Sequence, residues 1–389
     1  MSGGAFTAIA PGDARALTRA LVRVDSRNPA LSPGACGEAN VAALLKEVLD
    51  GWGFRTELHE AAPGRPNLVA RIGAGRGGRT LMLNGHLDVV GVEGMVHPPF
   101  TAEERDGRLY GRGSADMKGG VAAMCAAAWR TASDDLAGEV IIAAVADEEF
   151  ASLGTKALIA SGVRADCAIV TEPTRLAIMP AHRGFVWIEV AVAGRAAHGS
   201  RWDIGVDAIR HAGLLLAELD RVDAEELPRS LHPLLGRGSL HASLIEGGMG
   251  MSTYPDRCVV KLERRTIPGE SAADALAEVE RACDVVRRRR PSFVASVKLM
   301  LTQGPSDVAV AAPVVRALEE ALQQTGEPVR IEGMSAWTDA ALLNEAGIPA
   351  VCFGPGDISL AHAAEEYIPL DEIDRATTVL AAFTRSWCG

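Results

Sequence analysis

No two cysteines of this chain stand in a C-x-x-C pair, and their number, seven, is odd. That excludes a zinc ribbon and speaks against a disulfide framework. Several of the thiols lie in apolar runs, where they behave as small hydrophobes rather than nucleophiles. No stretch approaches the 18 uninterrupted apolar residues of a membrane-spanning helix. No basic segment precedes an apolar run within Met1–Pro11, so no secretory leader is expected. Cations are in deficit, with Lys+Arg 39 against Asp+Glu 50 and a net charge of −11, which argues against nucleic acid or an anionic membrane as the main partner. There is no internal repeat and no long low-complexity segment. The one charge run, Arg287–Arg290, reads as the last turn of a helix, where cations complement the macrodipole. These absences lead to the expectation of a soluble, cytoplasmic protein.

What is present is an ordinary globular composition, 48% hydrophobic and 23% charged over 389 residues, for which two domains are the natural prior. Asp13 is placed to cap a helix carrying Leu17, Ala20, Leu21 and Val24, and a second helix is predicted over about Gly37–Trp52. Asn67–Ile72 and Thr80–Leu83 read as paired strands joined by a glycine-rich hairpin. A strand rather than a helix follows those glycines, which weakens a phosphate-loop reading. Helices are predicted at Lys118–Thr131 and Ala151–Ser161. The alternation of β and α implies a mostly parallel, doubly wound α/β sheet. From about residue 182 the order becomes βαββαβ, with strands at Phe185–Val192, Ser239–Ile245, Cys258–Thr266 and Val294–Leu301 and helices at Gly205–Leu219 and Ala272–Val286. That is the ferredoxin-like arrangement. Residues 182–302 are therefore expected as a domain inserted into one formed by 1–181 and 303–389.

Four apolar runs end close to a histidine or carboxylate: Leu81–Leu83 before His86 and Asp88, Val140–Ala146 before Asp147, Glu148 and Glu149, Ala168–Val170 before Glu172, and Ala350–Phe353 before a loop with His362. Ligands of open α/β sheets sit beyond the carboxyl ends of the strands, so these remote groups are predicted to meet along one edge. Each has a local explanation when taken alone. Glu148 and Glu149 could open a helix, Glu172 could belong to a turn, and the histidines could be satisfied in loops. Their joint placement favours a dinuclear metal site. Nitrogen and carboxylate donors without thiolates suit zinc, with cobalt or manganese as substitutes. Asp116, central in Gly111–Gly120 and flanked by glycines, is the natural bridge between two metals. Asp88, two residues beyond His86, is placed to orient its imidazole.

Asn84-Gly85-His86-Leu87-Asp88-Val89-Val90, Gly111–Gly120, Asp147-Glu148-Glu149, Thr171-Glu172-Pro173, Ala197-His198-Gly199-Ser200 and Ala361-His362 together resemble the aminoacylase / acetylornithine deacetylase / succinyl-diaminopimelate desuccinylase / glutamate carboxypeptidase family of dinuclear zinc hydrolases. The resemblance covers nearly the whole chain, the inserted domain included. It implies that His86, Asp116 and Glu172 hold one zinc and Asp116, Glu149 and His362 the other, with a cis peptide after Asp116. It implies Glu148 as general base, adjacent to a ligand without being one. It implies that the inserted domain serves as lid and dimerisation domain, that His198 reaches the partner subunit's active site to stabilise the oxyanion, and hence a homodimer. Arg265, in Glu263-Arg264-Arg265-Thr266-Ile267-Pro268-Gly269-Glu270, matches the family's substrate-carboxylate clamp; its alternative is a strand arginine paired with Glu263. Gly354 and Gly356 could add main-chain donors beside the metals.

The implied reaction is cleavage of the amide of an N-acyl amino acid. A water shared by two zincs is acidified from 15.7 towards about 7, and Glu148 takes its proton and passes it to the leaving nitrogen. Glutamate at 172, where related aminopeptidases carry aspartate, favours acyl-amino-acid chemistry over the alternatives, a dipeptidase or carboxypeptidase on the same scaffold, or a non-catalytic binding protein retaining the fold. Two positions depart from the family pattern, Ser252 in place of asparagine before Pro255 and Trp202 in place of proline. His97, His182, His211, His232 and His241 lack metal-ligand spacing and are read as structural or surface residues.

Overall fold

Leu81–His86 is buried at every position, as a strand covered on both faces must be. It lies at the heart of the first of two compact units in the computed structural model, which describes residues 9–73 and 75–389. The central strands of this unit run in the order Glu139–Val145, Thr80–His86, Cys167–Val170, Ala350–Cys352, and all neighbours among them are parallel. Two antiparallel strands, Arg65–Gly73 and Arg55–Ala62, extend the sheet beyond Glu139–Val145.

Alternation along the strands divides the core. Leu81, Leu83, Val140, Ile142 and Ala144 face the helices Ala14–Val22, Gly119–Arg130 and Leu370–Cys388, while Met82, Ile141 and Ala143 point to the opposite face. Helices Leu153–Ala160 and Ala340–Glu345 pack on that opposite side. The result is the doubly wound α/β sheet implied by the sequence pattern. Asp13 caps its helix as expected, accepting from the Ala16 amide at 2.9 Å. Gly119–Arg130 is buried from Gly119 through Ala128, and its small side chains are what allow a helix to lie so close. A Cβ on Gly120 would stand 2.0 Å from the Thr171 carbonyl oxygen.

One expectation fails. Arg65–Gly73 and Thr80–His86 do not form a hairpin, because Glu139–Val145 lies between them, antiparallel to the first and parallel to the second. Glu139–Val145 is apolar on both faces and is stabilised by neighbours on both edges. The glycines after residue 72 serve close approach: a Cβ on Gly73 would lie 2.9 Å from the Gly138 oxygen, and one on Gly78 2.4 Å from the Gly138 nitrogen.

The second unit comprises Ala181–Asp307 and Gly333–Trp337. Its antiparallel sheet has the order Ser239–Gly247, Arg257–Thr266, Gly184–Ala193, Val294–Gln303. Helices Ala208–Arg221 and Ala272–Arg289 cover one face, burying Val186, Ile188, Val190 and Val192 against Leu215, Leu219, Val279 and Val286. The sequence pattern assigned 333–337 to the larger domain. Here that segment belongs to the smaller unit, where the Trp337 indole donates to the Gly304 carbonyl at 2.9 Å and its ring meets His182 and Phe185 edge-on. All seven cysteines are free. Among the described residues no helix is long and apolar enough to cross a membrane.

Candidate metal centre

The parallel strands deliver their chemistry at one edge. His86 is the last residue of its strand, Asp147–Glu149 follow Val145 by two to four positions, and Glu172 follows Val170 by two. Asp116 comes from a separate glycine-bounded turn, and His362 from the loop after Ala350–Cys352. Asp116 divides its carboxylate between two imidazoles: Oδ1 lies 3.0 Å from His86 Nε2 and Oδ2 3.6 Å from His362 Nε2. His362 Nε2 also lies 3.0 Å from Glu149 Oε2. Ligand-capable atoms of His86, Asp116 and Glu149 all fall within 4.8 Å of one another. Glu148 Oε2 stands 4.0 Å from His86 Nε2, and Glu172 is buried beside them. The peptide after Asp116 is cis.

Electrostatics mark the same cluster. Burial lifts the Glu148 and Glu172 carboxyls well above the ordinary range, reinforced by neighbouring acids and opposed by His86. Burial disfavours the charged His86 imidazole, yet the hydrogen bond and charge of Asp116, with Glu148 and Glu172, hold its pKa well above normal. The Glu149 hydrogen bond, against burial, pushes His362 up to about 9. Four carboxylates thus crowd two imidazoles, and the buried Glu149 Oε1 has no hydrogen-bond partner. An N/O donor set with surplus negative charge and an unpartnered carboxylate oxygen fits divalent cations.

Asp88 orients more than an imidazole. His86 Nδ1 bonds the Asp88 main-chain oxygen at 2.9 Å, while the nearer carboxylate oxygen is 3.7 Å away. The carboxylate instead accepts from the main-chain N–H groups of Glu148 (3.1 Å) and Glu149 (3.2 Å) and from Asn28 Nδ2 (2.8 Å). Burial raises its pKa to about 7, with His86 opposing.

Gly354 and Gly356 require correction. Their N–H groups are engaged by Thr174 Oγ1 at 3.0 Å and Glu372 Oε2 at 2.8 Å, so they do not offer donors to a ligand. Gly354 is needed for space, since a Cβ there would meet the Thr171 and Glu172 carbonyl oxygens at 2.5 and 2.6 Å.

His198 and Arg265 belong to the second unit. His198 is exposed, its Nδ1 2.8 Å from Ser200 Oγ. Arg265 places Nε 2.5 Å from Glu263 Oε1, and its guanidinium lies over Phe185. Its neighbour Arg264 is the buried one, paired with Glu270 and Glu278.

Sequence reasoning missed Glu366, Asn28, Glu38, Arg65 and Asp339. Glu366 is fully buried; it accepts from the main-chain N–H groups of Gly113, Ala115 and Asp116 at 3.0–3.2 Å and pairs with Arg112 at 2.7 Å. It thereby ties the His362 loop to the Asp116 turn. Its position four residues beyond His362 was the one available signal. Asp339, also buried, accepts from Thr155 Oγ1 at 2.6 Å.

An α/β sheet with acids and imidazoles gathered at its carboxyl edge defines the metallohydrolase class. The sequence profile of Peptidase family M20/M25/M40 matches residues 82–386, and the chain belongs to that family. It is similar to an acetylornithine deacetylase of Myxococcus xanthus, 34% identical over 351 residues, with 88% of this chain and 90% of that one covered. It is similar to an N-formyl-4-amino-5-aminomethyl-2-methylpyrimidine deformylase of Bacillus subtilis (strain 168), 28% identical over 389 residues and covering 92% and 91% of the two chains. Among solved structures, the M20 family metallo-carboxypeptidase Sso-CP2 from Sulfolobus solfataricus shares the fold, with a TM-score of 0.81 at 19% identity, covering 96% of this chain and 99% of that one.

Proposed function

We propose that this protein is a two-metal amidohydrolase that removes the acyl group from an N-acyl amino acid. The observation that carries the reading is the Asp116 carboxylate spanning His86 at 3.0 Å and His362 at 3.6 Å. In this reading His86, Asp116 and Glu172 hold one zinc, and Asp116, Glu149 and His362 the other. Divalent metals bound there supply Lewis acidity towards the scissile carbonyl and make water a competent nucleophile near neutral pH. Glu148, held by its main chain against Asp88 and with its side chain free of ligand duty, receives the proton of the attacking water and delivers it to the leaving nitrogen. His198 donates to the developing oxyanion across a homodimer. Arg265 receives the substrate carboxylate through its Nη groups, since the Glu263 pair engages Nε.

Support for acyl-amino-acid chemistry comes from Glu172 and from the acetylornithine deacetylase relative, while the deformylase relative, named for a formylated aminopyrimidine, supports removal of an N-acyl group without an amino-acid substrate. A dipeptidase or carboxypeptidase reaction is the second reading, favoured by the shared fold with a metallo-carboxypeptidase. Support for a homodimer comes from Ser239–Gly247, an edge strand with Leu244 and Ile245 exposed, and from exposed Met249 and Met251 just beyond it. We place the enzyme in the cytoplasm.

The test is a panel of N-acetyl, N-formyl, N-succinyl and N-carbamoyl amino acids beside free-amine dipeptides, assayed with zinc-loaded protein. Release of free amine from an acyl amino acid, abolished by chelation and restored by zinc, is expected. Turnover of dipeptides alone would move the assignment to the second reading. Full activity after complete metal removal would refute the two-metal mechanism.

A further inference from the structure

The Asp147–Glu149 turn is held by a network that no metal ligand explains. Asp147 adopts φ 66°, the left-handed region, which aspartate enters more readily than most non-glycine residues and which its surroundings here hold in place. Part of the enforcement is local: its carbonyl oxygen accepts from the Ser152 amide at 2.6 Å and its Oδ2 from the Ala151 amide at 3.2 Å. The rest comes from far away in sequence. Three consecutive main-chain N–H groups each donate to a buried carboxylate: Asp147 to Glu38 Oε1 at 3.1 Å, Glu148 to Asp88 Oδ1 at 3.1 Å, and Glu149 to Asp88 Oδ2 at 3.2 Å.

Three buried acids, Glu38, Asp88 and Asp147, would repel one another without a cation and a donor between them. Arg65 is the cation, forked onto Glu38 and reaching Asp147 Oδ1 at 3.1 Å. Asn28 is the donor, its one amide nitrogen bonding Asp88 Oδ2 at 2.8 Å and Asp147 Oδ1 at 3.0 Å. Asn28 is itself fixed beside the end of the His86 strand. Its N–H donates to Val89 O at 2.8 Å, the Val89 N–H to Ser26 O at 3.1 Å, and Ser26 Oγ to Leu87 O at 2.7 Å. Asn28 and Glu38 are fully buried, and Arg65 nearly so.

We infer that Asn28, Glu38 and Arg65 are positioning residues: a buried strap that sets the main chain of Glu148 and Glu149 relative to His86 and so fixes both metal geometry and the proton acceptor. The inference rests on the proposed roles of Glu148 and Glu149, but its first consequence, rigidity of the turn, does not. Asn28→Asp keeps the size of the side chain and replaces the bridging donor by a fourth buried carboxyl group beside Glu38, Asp88 and Asp147. In the metal-free protein, exchange of the Glu148 and Glu149 amide hydrogens should accelerate selectively, by about tenfold or more, compared with amides of the second unit. Zinc affinity, measured by chelator competition, should fall about 10–100-fold, as is usual when a ligand loses its outer support. With zinc saturating, kcat should fall while KM changes little, and Arg65→Lys should retain more activity than Arg65→Met. Should Asn28→Asp not fold, Asn28→Ser and the Arg65 pair carry the same measurements. A folded variant with unchanged amide exchange and unchanged zinc affinity overturns the strap. If the wild-type enzyme cleaves none of the amides offered, the functional reading fails, and exchange and zinc affinity still decide the strap.

Discussion

Glu148→Gln separates the proton acceptor from everything that holds the site together. The substitution preserves volume and leaves the main-chain N–H of residue 148 on Asp88 Oδ1, so the turn should not move. Metal content should also be preserved, because in the proposed allocation Glu148 binds none. Loss of a positioned general base costs about 10²–10⁴ in rate, or about 3–5 kcal/mol in the barrier. That loss should appear in kcat, with KM close to wild type, since the group acts only as the proton moves. Stability should go the other way. Burial lifts the Glu148 carboxyl well above the unfolded value of 4.5, helped by the charges of Glu172, Asp339 and Glu149. A raised carboxyl pKa means that the folded state disfavours the ionised form. Stability contributed by the protonated group is full below pH 4.5 and declines as pH rises above it. Metal-free Glu148→Gln should therefore resist urea better than wild type at pH 7–8, and the gain should shrink towards pH 4. The assay is steady-state hydrolysis with metal analysis of the same sample, together with urea unfolding of the metal-free proteins. A fully metal-loaded variant within tenfold of wild-type kcat would refute the assignment of Glu148. A metal-free variant less stable than wild type at neutral pH would refute the electrostatic argument.

His182 is fully buried in the second unit and burial lowers its pKa to about 4, so the unfolded chain takes up a proton first as pH falls from 6.5 towards 4. Wild type should lose about 3 kcal/mol across that window for this reason, and urea midpoints of metal-free His182→Gln should fall less steeply; parallel pH profiles would refute it. Gly120→Ala drives a methyl into the Thr171 carbonyl and should cost about 3 kcal/mol or more in chemical denaturation; a cost below about 1 kcal/mol would show that the helix is free to shift. Mixing inactive His198→Ala with inactive Glu148→Gln should restore part of the activity if His198 works across a dimer, since one hybrid site then has both groups. No recovery after demonstrated subunit exchange would place the oxyanion donor elsewhere.

Much of this was legible in the residues themselves. Buried parallel strands write their character into unbroken apolar runs, so the strands ending at His86, Val145, Val170 and Cys352 could be placed, and the groups just beyond them could be predicted to meet. The βαββαβ order of residues 184–303 was legible for a different reason: its antiparallel strands are covered on one face and alternate, while its helices keep the 3.6-residue period. Pairing was not. Nothing in Arg65–Gly73 says that Glu139–Val145 rather than Thr80–His86 lies beside it, since both are apolar runs buried on both faces and only the assembled sheet decides which neighbour each takes. The supports of the site were equally hidden. Asn28, Glu38, Arg65 and Glu366 lie between 27 and 254 residues from the groups they hold, and no local spacing connects them. Nor could the chain announce that the Gly354 and Gly356 amides are spoken for, or that Asp88 turns its carboxylate to the Glu148 and Glu149 amides. Donor types and their order follow from covalent sequence. Which lone pair meets which hydrogen is settled only when burial forbids water and each buried polar group must find a partner in three dimensions.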